Sequence, residues 1–175
     1  QDVCLVNVEG RMHPVEVHFL EEPASDYVQT AVGTVMAIHL KEPDGDILVF
    51  LTGREEIDAC CMLLKERNAQ AKERAATPTQ RPRPLHVVPL HGSLPKEMQL
   101  KAFVPGPRNA RKVVVSTNIA EASVTIDGVV YVVDACLVKF DAFCPHNGCS
   151  YLNIAPCSVS SAKQRAGRAG RTRPG

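Results

Sequence analysis

An α/β fold, a doubly wound layer sandwich with a mostly parallel sheet and an appended β-hairpin, is what this sequence predicts. Three observations carry the prediction. Short apolar runs alternate with longer amphipathic stretches along most of the chain. The apolar runs at 47–51, 112–116 and 129–134 are dense in Val, Ile and Leu, as strands buried on both faces require. Each strand is followed by a polar or glycine-containing loop, and sheets of this kind carry their working loops beyond the carboxyl ends of the strands.

The elements follow in order. Residues 3–8 and 15–20 read as strands separated by Gly10 and Pro14. Asp26 can cap a helix over about 27–40, with Val28, Ala31, Val32, Val35 and Ile38 on one face. Asp44-Gly45 marks a turn before the strand at 47–51. A second helix begins near Arg54, with Ile57, Cys60, Cys61 and Leu64 as its inward stripe. Residues 68–84, rich in Ala, Arg, Thr and Pro, read as a solvated, mobile connection. A strand at 85–90, a short helix from Pro95 to about Phe103 and the strands at 112–116 and 129–134 come next. Residues 136–155 form two apolar stretches around a Pro-His-Asn-Gly segment, hence a hairpin, and 160–171 is helical until its glycines.

Composition narrows the class. At 175 residues, 45% apolar and 22% charged, the chain is one ordinary domain, and its eight aromatics (three Tyr, five Phe, no Trp) leave the core to aliphatic packing. A net charge of +1 says nothing about a partner, but residues 163–175 hold five cations and no anion, a local attractor for phosphate. The seven cysteines are irregularly spaced and include the adjacent Cys60 and Cys61, which suits a reducing interior rather than a disulfide scaffold. Cys144, His146 and Cys149, with Cys157 beyond, lack the paired knuckles of a structural zinc site, so no metal is expected there. With no signal peptide and no apolar run of transmembrane length, an intracellular soluble protein is expected.

Two motifs carry chemistry, and two absences frame them. No Gly is followed by Lys, so there is no phosphate loop of the Walker type, and G-x-G-x-x-G is missing too. Gln164-Arg-Ala-Gly-Arg-Ala-Gly-Arg171 places Arg165, Arg168 and Arg171 three apart, which on a helix gives a drifting row of guanidiniums. Two glycines inside a helix cost about 1 kcal/mol each relative to Ala, a cost that makes sense where a phosphate or another backbone approaches closely. The segment 116–127, Ser-Thr-Asn-Ile-Ala-Glu-Ala-Ser-Val-Thr-Ile-Asp, packs more polar groups between two buried strands than a turn needs.

Together with Leu48-Val-Phe-Leu-Thr-Gly-Arg-Glu-Glu-Ile57, Leu90-His-Gly-Ser-Leu-Pro95 and Glu9-Gly-Arg-Met-His-Pro-Val-Glu16, these runs make nearly the whole chain resemble the C-terminal RecA-like domain of the DEAH-box RNA helicases of superfamily 2. Among its subgroups, the sequence is most similar to those that remodel ribonucleoprotein particles, including the splicing helicases. The resemblance implies a RecA-like three-layer sandwich that completes an ATP site held, with Mg2+, mainly by a first RecA-like domain. Arg168 and Arg171 would touch the terminal phosphates, with Gln164 beside the attacking water. Ser123, Thr125 and Asp127 match positions that sense phosphate or hold the ribose and magnesium waters. Phe103 matches the aromatic that stacks on the base, or else is a core residue of its short helix. Thr52, Gly53, Ser93, Thr117 and Asn118 match positions that grip the RNA backbone. The hairpin at about 138–154 matches the strand-separating element, with Lys139, Phe140 and Tyr151 as contacts.

The chain departs from the family pattern at Arg54, where Gln is common, at Ala122, where Thr is common, and at Cys136-Leu137, where Gly-Phe is usual. The resemblance further implies RNA as partner, an activating protein and a nuclear setting. It also implies an excised domain that does not turn over ATP alone. The alternatives are a non-hydrolysing helicase-like binding module and a DNA-directed translocase of the same superfamily.

Overall fold

Helix α1 (Tyr27–Lys41) begins where the Asp26 carboxylate accepts the Gln29 N–H at 2.9 Å, an N-cap of the usual kind. The computed structural model describes residues 13–77, 81–121, 125–146 and 148–175. At the far end of α1 the buried Arg111 guanidinium donates to the carbonyls of Ile38 at 2.8 Å and Glu42 at 2.9 Å, where the helix dipole is negative. After the turn come strand β1 (Asp46–Phe50), helix α2 (Arg54–Arg74), strand β2 (Leu85–Leu90), helix α3 (Lys96–Leu100) and strand β3 (Arg111–Ser116). A 3-10 turn at Asn118–Ala120 leads on to strand β4 (Val129–Asp134).

All three pairings in the main sheet are parallel, and its order is β2-β3-β1-β4. The step from β1 out to β2 and the later steps back through β3 to β4 run in opposite directions across the sheet. Right-handed crossovers therefore put their connections on opposite faces. The core divides accordingly. Ile47, Val49, Val113 and Val115 meet α1 and α2 through Val32, Val35, Ile57, Cys60 and Leu64. Leu48, Phe50, Val88 and Val114 meet Ala102, Ala120 and Ile126 on the other face. Both faces are covered, which is why these strands read as unbroken Val/Ile/Leu runs. The expected three-layer sandwich is the observed one.

Beyond β4 the chain leaves the sheet as an antiparallel pair, β5 (Leu137–Cys144) and β6 (Cys149–Pro156), then returns through helix α4 (Val159–Ala166), which packs beside β4. The hairpin forms a separate two-stranded sheet and exposes Phe143, Tyr151 and Leu152.

Three expectations need correction. Residues 15–20 form no strand; instead His13 donates its N–H to the Gly170 carbonyl at 2.9 Å, and Glu16 to Gly175 at 2.8 Å. Alternating apolar residues mark extended backbone, but they cannot say which neighbour it pairs with. Residues 3–8, also read as a strand, lie outside the described residues. The polar stretch after Lys65 stays helical to Arg74, because Lys, Glu, Arg, Ala and Gln are good helix formers and Asn68 and Ala71 still face the core. The supposed connection thus shortens, and its end is tied down: Arg83 pairs with Asp44 at 2.7 Å and its carbonyl meets His39 Nε2 at 3.1 Å. Finally, the arginine row is not on one helix. α4 stops at Ala166 with Gly167 as its cap, and Arg168 and Arg171 lie in the turns that follow.

Candidate functional site

The carboxyl ends of the four parallel strands form one edge of the sheet. Hydrogen bonds continue past the strands and hold the loops side by side. Leu51 N–H reaches Ser116 O at 2.9 Å, Thr117 N–H reaches Leu90 O at 3.2 Å and Ala135 N–H reaches Phe50 O at 3.3 Å. Thr52, Gly53, Thr117 and Asn118 are thereby brought together, with exposed Ser93 on the adjacent loop after β2. A small recess of about 20 Å3, room for one water, is lined by Thr52, Asn118, Lys139 and Arg165 among others. Lys139 Nζ lies 3.8 Å from where a Cβ on Gly53 would sit, so the hairpin contributes a cation to this edge.

Thr52 itself is buried, and its hydroxyl donates to the Glu56 carboxylate at 2.8 Å, while its N–H reaches the same carboxylate at 3.0 Å. Tyr27 donates its hydroxyl to Glu56 as well, at 2.5 Å. Burial alone would raise the Glu56 pKa, but the donors from Tyr27 and Thr52 outweigh it and hold the carboxyl below its ordinary range. The Thr52-Gly53 loop is therefore fixed from behind by Glu56, a residue whose part the sequence gives no sign of.

The second constellation lies beside α4. An open groove of about 650 Å3 is lined by Glu121, Ser160, Lys163, Gln164, Gly167, Arg168 and Arg171. It brings together Gln164, Arg168 and Arg171. Arg171 donates to the Thr125 hydroxyl, which joins that residue to the group, and Arg168 donates to the Glu121 carbonyl. The Arg168 pKa is lowered by burial first and by the like charge of Arg171 next. Two guanidiniums lining one open groove form a natural anion site. Ser123 lies outside the described residues.

Asp127 and Phe103 line neither constellation. The nearby buried Lys112 ammonium donates to the Val104 carbonyl at 2.9 Å, and the charges of Asp46 first and Asp127 next act on it. Phe103 is half-buried and packs on the second core cluster, in keeping with a core residue, while Asp127 is exposed.

The arginine that behaves least as the sequence suggested is Arg165. It is 2% exposed and donates to Glu121 at 2.9 Å, to Asp134 at 3.0 Å and to the Leu137 carbonyl at 3.2 Å. Its guanidinium carbon stands 5.1 Å from the centre of the Phe50 ring. Burial works against its charge, and the two carboxylates more than restore it. Arg165 is thus a tie between the loop after β3, the root of the hairpin and α4, and it faces away from the groove. A sequence signal for this existed in Asp134: a carboxylate closing a buried Val run needs a cation. The glycines also separate. A Cβ on Gly170 would lie 2.5 Å from the His13 carbonyl oxygen, so it is a backbone, not a phosphate, that approaches there.

The hairpin root carries one more departure. Cys136, in place of the family's usual Gly, has φ of 55°, a left-handed conformation that costs an L residue about 1–2 kcal/mol. Its thiol is pushed up to about 11, by burial first and by the Asp134 carboxylate next. At the hairpin tip Cys144 faces Cys149 in register.

Comparison with known proteins places these observations. The helicase conserved C-terminal domain family matches residues 30–173. Over 171 residues the chain is 46% identical to the pre-mRNA-splicing factor ATP-dependent RNA helicase prp22 of Schizosaccharomyces pombe, covering 98% of this chain and 14% of that protein. Among solved structures, the Escherichia coli DExH-box NTPase HrpB superimposes with a TM-score of 0.77 at 37% identity, over 95% of this chain and 19% of that one. A second structure of HrpB, described as a DEAH/RHA helicase, gives 0.77 at 38% identity, over 95% and 20%. The chain thus spans under a quarter of the length of each of these relatives.

Proposed function

The chain belongs to the helicase C-terminal domain family, among the DEAH-box RNA helicases, and on that footing we propose that it is the second half of an ATP-driven RNA motor. The observation that carries this reading is the groove in which Gln164, Arg168 and Arg171 converge, close enough for the Arg171 charge to act on Arg168. A first RecA-like domain supplies most of the ATP and Mg2+ site and presents the terminal phosphates to these guanidiniums. Arg168 and Arg171 then stabilise the charge that grows on the transferred phosphoryl group, and Gln164 orients the water. Thr125, tied to Arg171, would sense the same phosphate, and the exposed Asp127 two residues on would hold the ribose or the metal's waters.

The RNA lies along the carboxyl edge of the sheet. Gly53, Ser93, Thr117 and Asn118 offer backbone N–H groups, hydroxyls and an amide that hold phosphates without reading bases, and Lys139 adds a charge. Thr52 contributes chiefly through its backbone, since Glu56 engages its hydroxyl. Similarity to a splicing helicase supports ribonucleoprotein remodelling in the nucleus as the cellular setting. No helix of the described residues is long and apolar enough to cross a membrane.

The test is RNA-stimulated ATP hydrolysis by the full-length protein with and without Arg168→Ala. An arginine finger contributes about 10³–10⁵ in rate, so the variant should lose activity on that scale while still binding RNA. No turnover by either protein would favour a non-hydrolysing binding module, and equal turnover by both would remove Arg168 from the catalytic role. Stimulation by single-stranded DNA equal to that by RNA would favour the DNA-directed alternative. The 175-residue chain alone should hydrolyse no ATP.

A further inference from the structure

We propose that Asp134, Cys136 and Cys157 at the root of the hairpin form a binding site for zinc(II) or another thiophilic divalent cation. Their ligand atoms, one carboxylate oxygen and two sulfurs, all lie within 4.8 Å of one another. Tetrahedral bonds of about 2.0–2.3 Å set donors about 3.3–3.8 Å apart, so a small closing movement completes the contact.

The backbone holds the set in place from three directions. Asp134 ends β4, Cys136 precedes β5 and Cys157 follows β6. The Cys157 N–H donates to the Cys136 carbonyl at 2.8 Å, which extends the hairpin ladder by one pair beyond Leu137 and Pro156. The Cys136 N–H donates to Asp134 Oδ1 at 2.8 Å, and Arg165 donates to the same oxygen at 3.0 Å. Those bonds orient the carboxylate, as outer hydrogen bonds do around metal ligands, and the Cys136 thiol itself lies within hydrogen-bonding reach of it.

Cys136 gives the independent reason to look for a ligand. Its backbone sits at φ of 55° although the residue is not a glycine, and it lies at the surface outside both core clusters. A strained non-glycine residue outside the core points to function. Two sulfurs and one oxygen select soft or borderline cations over Mg2+ and Ca2+. Binding displaces both thiol protons to solvent and forms two metal–thiolate bonds with no change in oxidation state. With the carboxylate this leaves one surplus negative charge, and the Arg165 guanidinium beside Asp134 is placed to offset it. Three protein ligands leave a fourth position for water or an outside ligand. The bound ion would staple the hairpin to the end of β4. This assignment is independent of the nucleotide and RNA readings above.

The experiment is titration of the purified, reduced, metal-free 175-residue chain with Co2+. One equivalent should produce a sulfur-to-cobalt charge-transfer absorption, be displaced by Zn2+ and release two protons per ion, and Zn2+ should raise the melting temperature. Cys136→Gly, which relieves the left-handed backbone and so folds at least as well, should abolish the absorption, and Cys157→Ser should do the same. Absence of the band in the parent chain overturns the proposal. So does its survival in both variants, or its loss in Cys144→Ser instead, which would move the site to the hairpin tip. If glutathione disulfide converts Cys136 and Cys157 to a disulfide while cobalt gives no band, the pair is a redox couple and the metal site is refuted.

Discussion

Asp134 Oδ1 receives the Arg165 guanidinium at 3.0 Å and the Cys136 N–H at 2.8 Å, so the last residue of β4 ties the arginine segment to the hairpin. The second carboxylate on Arg165, Glu121, belongs to the loop whose carbonyl Arg168 also holds. One buried ion triad therefore joins the groove, the hairpin and the loop after β3.

Replacing Arg165 by Met should destabilise the chain by about 3–5 kcal/mol, the cost of leaving two largely buried carboxylates without their cation. Arg171→Ala, at an exposed position in the same motif, should change stability by less than about 0.5 kcal/mol. Urea unfolding of the two variants checks the contrast. Similar losses in both would mean that Arg165 is not the structural member of the set.

Gly170→Ala should cost more than the usual glycine replacement, because its Cβ would lie 2.5 Å from the His13 carbonyl oxygen. Segment 13–16 must then shift from the tail, with a loss of about 1–3 kcal/mol. Hydrogen exchange should show faster exchange at the His13 and Glu16 amides, both now donors to the tail. Unchanged protection at those amides would contradict the packing described here.

Glu56 offers a pH test. Its folded pKa lies below the ordinary 4.5, so its contribution is complete above about that value and disappears as pH falls through the folded pKa. The parent chain should lose stability over that acid range, and Glu56→Gln should flatten part of the slope. At neutral pH the same variant should cost about 1–3 kcal/mol, since three donors from Tyr27 and Thr52 lose their carboxylate. Denaturation curves at pH 3, 4, 5 and 7 compare the two, and parallel profiles would count against the assignment.

His39 acts in a higher window. Burial first, and the Arg111 charge next, lower its pKa from 6.5, so the folded chain keeps it neutral. An unfolded chain then binds more protons below pH 6.5, and stability falls as pH drops from there toward the folded pKa. His39→Gln should remove that part of the decline while retaining a donor for the Arg83 carbonyl. Thermal melts between pH 5 and 7.5 measure it.

Sequence alone determined the layers and the inventory. The Val/Ile/Leu runs required strands covered on both faces, Asp26 and the stripe from Ile57 to Leu64 required the helices, and the order of polar loops after strands named the edge where Thr52, Gly53, Thr117 and Asn118 meet. These are periodic or local features, and a short stretch of chain suffices to specify them. Tertiary structure alone decided how similar residues divide their labour. Arg165, Arg168 and Arg171 are evenly spaced and chemically alike, yet the helix ends at Ala166, so one turns inward to Asp134 and two open to the groove. The Tyr27 bond to Glu56, the Arg111 bonds to the end of α1 and the pairing of residues 13–16 with the tail depend on partners far away along the chain. Those partners are fixed only once the sheet order is set, because a charge or an unpaired backbone group takes whichever complement the packing brings within about 3 Å.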